Sequence, residues 1–147
     1  MRTIRETTIT SANAVLLIRA PGIIDSFQRI HGFAPDSAWS ANEVQMGETQ
    51  MGVDGYQSGG FTPFEIQLVI TLMANSPSQP VFNTMIRWML QNQEIAPLDW
   101  SLELKSIKKR YAGGGFLVSG SPVPSGGKVL QPTNYTCNTV IEKMEDL

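Results

Sequence analysis

Between Phe64 and Leu90 the apolar residues change their period once, and that change constrains the fold more than any other feature. Over Phe64–Met73 they alternate. Phe64, Ile66, Leu68, Ile70 and Leu72 share one face, and Glu65, Gln67, Val69, Thr71 and Met73 share the other, as in a strand. Asn75-Ser-Pro-Ser-Gln-Pro then interrupts the chain. Pro80 lacks an N–H and suits only the first turn of a helix, so a helix is expected to start at Ser78 or Gln79, with Ser78 as its N-cap. Val81, Phe82, Met85, Ile86, Met89 and Leu90 form one stripe along residues 79–93, while Asn83, Arg87 and Gln91 lie off it. Only that stripe can be buried, so the helix is expected to lie on a sheet.

The remaining segments read mostly as strands. Asn13–Arg19 is a short apolar run stopped by Pro21-Gly22. Met1–Thr10 reads as an arm or an edge strand, Ile24–Phe33 is ambiguous, and Ser37–Met46 reads as a weaker strand. After the helix Pro97 ends the segment, and Trp100, Leu102 and Leu104 alternate. Phe116–Val118 and a last strand near Tyr135–Met144 follow, the latter with Tyr135, Cys137, Thr139 and Ile141 on one side. No βαβ alternation is visible, which favours a mainly antiparallel sheet. The expectation is a mainly β chain, one domain over residues 1–147, with a glycine-rich loop at residues 47–60. Five glycines in that segment suit a flexible or extended hairpin better than a phosphate-binding loop.

Composition narrows the function classes. Charged residues make up only 16% of the 147 residues and the net charge is −2, so a basic footprint for nucleic acid is missing. No apolar run approaches the roughly 20 residues of a membrane helix, and no N-terminal stretch reads as a signal peptide. Without such a signal the Asn134-Tyr135-Thr136 sequon reads as chance, and the lone Cys137 suits a reducing compartment.

Catalytic chemistry is equally sparse. His31 and Cys137 are the only imidazole and thiol, too few for a zinc site, and no nucleophile motif surrounds either. Asp54-Gly55 lacks the acidic spacing of a calcium loop and reads as a turn. The glycines at residues 47–60 lack the Gly-Lys-Ser/Thr of a phosphate loop. In an extended strand Lys108 and Arg110 point one way and Lys109 the other, which suits a solvated strand end or an inter-subunit ion pair. No catalytic residue, metal site or cofactor is expected.

The segment MGETQMGVDGYQSGG, followed by FEIQLVITLMANSPSQPVFNTMIRWM, resembles the tail tube proteins of long-tailed bacteriophages, especially small ones from contractile tails. It covers the middle third of the chain; elsewhere the likeness is in the order of elements. The resemblance implies an antiparallel β-sandwich or half-barrel with one flanking helix. It implies six-membered rings that stack into a virion tail tube, assembled in the host cytoplasm, through which viral DNA passes without specific binding. Partners would be further copies of the chain, a sheath protein where the tail contracts, and baseplate and tail terminator proteins; no membrane is involved. Met46, Met51, Val53, Asp54 and Tyr56 are then expected to reach a neighbouring subunit or ring, and Glu65, Gln67, Thr71 and Glu103 to face the lumen. The alternatives are a tail terminator or head-completion protein, and a small ligand-binding β-barrel or enzyme.

Overall fold

The computed structural model describes residues 2–35 and 37–147. In chain order the strands are β1 (Val15–Ala20), β2 (Ile24–Arg29), β3 (Trp39–Ala41), β4 (Gly47–Met51), β5 (Gln57–Phe61) and β6 (Ile66–Leu72), then helix α1 (Gln79–Asn92), then β7 (Pro97–Leu104), β8 (Lys109–Gly120) and β9 (Thr133–Asp146). Seven of them form one antiparallel sheet in the order β2-β1-β7-β8-β9-β6-β3, while among the described residues β4 and β5 pair only with each other. The N-terminal arm carries no regular structure from Arg2 to Ser11; its Met1 lies outside the described residues.

The sheet is strongly curled. The Ile30 N–H still bonds the Leu16 oxygen on β1, yet the Gly32 oxygen accepts from Met73, and Phe33 bridges Leu72 at the far edge of β6. In a flat sheet the positions beside β1 and beside β6 lie six strand spacings apart, about 29 Å. Three residues of chain reach about 11 Å at most. The two ends of the sheet must therefore curl toward each other, and the result is a half-barrel. The sandwich alternative is not realised, because the second sheet is a solvent-exposed hairpin.

Two devices make the curl possible. The β8–β9 pairing carries irregularities between Ala112 and Gly113 and between Leu117 and Ser119. Between them, Gly113 and Gly115 approach β9 so closely that an added Cβ would stand 2.1 Å from the Val140 and Asn138 carbonyl oxygens. Bulges and bare glycines let a strand bend where a side chain would collide.

The core lies between the helix and the enclosed face of the sheet. Leu16 and Ile18, Leu68, Ile70 and Leu72, Leu98, Trp100 and Leu102, Leu117, Tyr135 and Cys137 are buried there with Phe82 and Met85 of α1. Phe82 stacks flat on Tyr135, ring centroids 4.2 Å apart. The Tyr135 hydroxyl donates to Gln79 Oε1 at 2.6 Å, and Gln79 Nε2 donates to Thr133 Oγ1 at 2.6 Å and to the Met73 oxygen at 3.0 Å. This amide is buried with both its ends bonded, which makes burial of a polar side chain tolerable.

Several expectations need correction. Ser78 precedes the helix but makes no side-chain cap, because its hydroxyl accepts from the His31 N–H at 2.7 Å and reaches the Arg29 oxygen at 3.3 Å. It ties the helix start to the crossover instead. Leu90, counted in the buried stripe, is 69% exposed, whereas Trp88 packs on the core. Only Trp39–Ala41 of Ser37–Met46 is strand. Pro97 begins β7 rather than ending a segment.

Candidate assembly surfaces

The glycine-rich segment is a regular hairpin. Gly47 pairs with Phe61, Thr49 with Gly59 and Met51 with Gln57. At the tip the Gly52 N–H donates to the Tyr56 oxygen at 2.8 Å, Asp54 Oδ1 accepts from the Tyr56 N–H at 3.3 Å, and Gly55 takes φ +91°. Asp54 thus acts as a turn residue. Every residue from 45 to 61 is exposed. The register puts Thr49, Met51, Gln57 and Phe61 on one face, where Met51 and Phe61 are the apolar groups, and Glu48, Gln50 and Ser58 on the other. Of the residues expected here, Met51 lies on the apolar face, Met46 sits at the base, and Val53, Asp54 and Tyr56 form the tip. Phe61 belongs with them and went unnoticed because it falls just outside the run of glycines.

Glu65, Gln67, Thr71 and Glu103 share a different surface, the face of the sheet turned away from the core. Leu68, Ile70 and Leu72 point inward, so Gln67 and Thr71 point outward, and Thr71 Oγ1 bonds Asn134 Oδ1 at 2.8 Å. Glu65 is exposed just ahead of β6, and Glu103 lies 3.9 Å from Arg110 on the neighbouring strand. On the same face Arg19 pairs with Asp99 at 2.5 Å and covers the Phe27 ring. Both Arg19 and Arg110 therefore face an acid, which offsets their charge.

A third surface was not anticipated. The C-terminal half of α1 and the end of β8 enclose an open groove of about 560 Å³, with Ile86, Met89 and Leu90 on one wall, Leu117, Val118 and Pro122 on the other, and Ile95 at its end. Glu94 is its only charged lining residue. The apparent overrun of the helix stripe at Leu90 was the sequence signal for it.

The basic run is divided between a turn and a solvated strand end, since Lys109 and Arg110 open β8. Residues 105–108 make the β7–β8 turn, with Lys108 at φ 56°. Lys109 pairs with Asp146, whose carboxylate holds the ammonium above its usual range. His31 is exposed, its backbone oxygen accepting from the Ser76 hydroxyl. Cys137 is buried, and loss of water pushes its thiol up to about 12. Among the described residues no three His, Cys, Asp or Glu side chains gather as metal ligands, and no helix is long and apolar enough to cross a membrane.

The family described as "Tail fiber protein gp32" matches residues 7–139. The chain belongs to this tail fiber protein gp32 family. It is a phage tail-associated structural protein. No curated protein matches it. Among solved structures, a chain of the six-fold symmetrised cryo-EM structure of the anti-feeding prophage baseplate is similar over 100% of this chain and 97% of its own length, with a TM-score of 0.52 and 14% identity. At that identity the likeness concerns the fold, which recurs over the full length of both chains.

Proposed function

We propose that this gp32-family chain is a non-enzymatic protomer of the inner tail tube or of its baseplate end. It self-associates into stacked, six-membered rings that conduct DNA, beside sheath, baseplate and terminator proteins. The observation that carries the reading is the β4–β5 hairpin, whose strand edges and apolar face are open to solvent. A two-stranded hairpin with no core of its own is marginal in water, and open edges invite pairing with another chain. The outer edges of β2 and β3, unpaired among the described residues, add two further places for copies to join. Similarity to a chain from a six-fold symmetrised baseplate is consistent with the ring size.

Negative-stain microscopy of the purified protein tests this. Rings or tubes are expected, and removal of residues 47–60 should shorten or abolish tubes. A protein that stays monomeric at high concentration would sink the proposal. The family description favours a second reading, a position among tail fibres. Antibody labelling of intact particles separates the two: label along the tail or at its tube end supports the tube, and label confined to fibres supports the alternative.

A further inference from the structure

We propose that the groove between α1 and the end of β8 receives the β4–β5 hairpin of a second copy of this chain. The inference rests on the self-association reading and adds the place where the hairpin docks.

The two surfaces match in chemistry. The groove walls are apolar, and Leu90 stands 69% exposed beside the half-buried Ile86 and Met89. The helix stripe is wider than the core it covers, so its last turn offers unused apolar surface. The hairpin offers Met51 and Phe61 on one face, with Val53 and Tyr56 at the tip, all far into solvent. A volume of about 560 Å³ falls in the ~300–1,000 Å³ range of pockets that hold a drug-sized group, which is room for a few large side chains. Neither the hairpin, residues 45–61, nor the groove lining contains Lys or Arg, so neither surface presents a phosphate-binding group.

The two surfaces also lie apart in a way that favours propagation. The hairpin joins the sheet at the Ile66 end of β6, where Ala41 pairs with Leu68 and Asn42 accepts from the Gln67 N–H. The groove lies toward the Leu72 end, where Gly120 pairs with Tyr135 and Tyr135 pairs with Ile70. Each copy carries both the β4–β5 hairpin and this groove, on different parts of its surface. Their contact is head-to-tail, and such contacts continue into rings or stacks instead of ending at a dimer.

The test is a cross-link between singly substituted proteins. Tyr56→Cys protein is mixed with Leu90→Cys protein, both carrying Cys137→Ala, under mild oxidation. A mixed disulfide dimer is expected that neither protein forms alone. Separately, Val53→Asp and Leu90→Asp should each weaken association by about tenfold or more with an unchanged melting temperature. Ile9→Asp, in the exposed arm, should leave association unchanged. Because the contact is apolar, raising the salt should not loosen it. Rings or tubes that form without the mixed disulfide, or that form normally from Leu90→Asp protein, overturn this inference and leave the ring reading standing. If Leu90→Asp protein still self-assembles but no longer enters tails, another tail protein occupies the groove and the inference is likewise wrong. A monomer that never cross-links overturns both.

Discussion

A methyl group at Gly115 would stand 2.1 Å from the Asn138 carbonyl oxygen and 2.6 Å from the Thr139 Cα, so the β8–β9 backbone would have to part. Gly115→Ala is expected to cost about 3 kcal/mol, at the upper end of overpacking changes, whereas Gly60→Ala meets nothing within 4 Å and should stay within about 0.5 kcal/mol. Thermal denaturation of the pair checks this. Cys137 makes a second residue-scale prediction. Burial keeps its thiol protonated to about pH 12, while the unfolded chain loses the proton near 9.0. Between those values the unfolded state binds fewer protons, so stability falls as pH rises, by at most about 1.4 kcal/mol per pH unit. Denaturant melts across this window should slope less in Cys137→Ala than in the parent; equal slopes would refute the assignment. The alternation over Tyr135–Ile141 put Cys137 on one side of its strand with Tyr135, Thr139 and Ile141, and the structure turns that side inward. The need for glycine at residues 113 and 115 was not legible, because it arises from the approach of a strand more than twenty residues away.

The helix and β6 were the most legible elements, since each carries a clean period and a sharp break. What the period could not convey was how far along the helix the sheet extends. Phe82 and Met85 are fully buried, but Leu90, one turn beyond Ile86, passes the edge of the core. Phe82→Ala should cost about 3–5 kcal/mol and Leu90→Ala almost nothing, a contrast that chemical denaturation of the isolated protomer resolves. Gln79 was equally hidden. It reads as a polar residue at a helix start, yet its amide joins Tyr135, Thr133 and Met73. Gln79→Ala leaves the Tyr135 hydroxyl without its acceptor and should cost about 1–3 kcal/mol. A melting temperature unchanged by that substitution would mean the network contributes nothing. Hairpin β4–β5 was visible as glycine spacing, but its register, and with it the apolar face, depended on backbone pairing that glycine-rich sequence specifies weakly.

At the scale of the molecule, antiparallel strands and one covering helix followed from the order of periods. The curl did not, because it depends on a crossover of four residues, Ile30–Phe33, inside a segment with no clear period. That curl separates an enclosed apolar face from an outward polar one, and Glu65, Gln67, Thr71 and Glu103 share the outward face although two strands, β8 and β9, lie between β7 and β6 in the sheet. In the proposed tube this face lines the channel. A wall that held phosphates through released counterions would retard DNA. The face avoids this at two places, where Asp99 stands against Arg19 and Glu103 near Arg110. Exchanging Glu103 for Lys removes the acid beside Arg110 and adds a second cation, and Glu65→Lys adds another along β6. Both positions are solvent-accessible, and the Glu103–Arg110 pair is long at 3.9 Å, so the double variant should fold and assemble. Phage carrying it should form tails of normal length yet eject DNA slowly, and raised ionic strength should restore part of the rate, since phosphate binding weakens with salt. Normal ejection kinetics in particles whose tails are intact would remove these positions from the channel wall and leave them as an ordinary solvated surface.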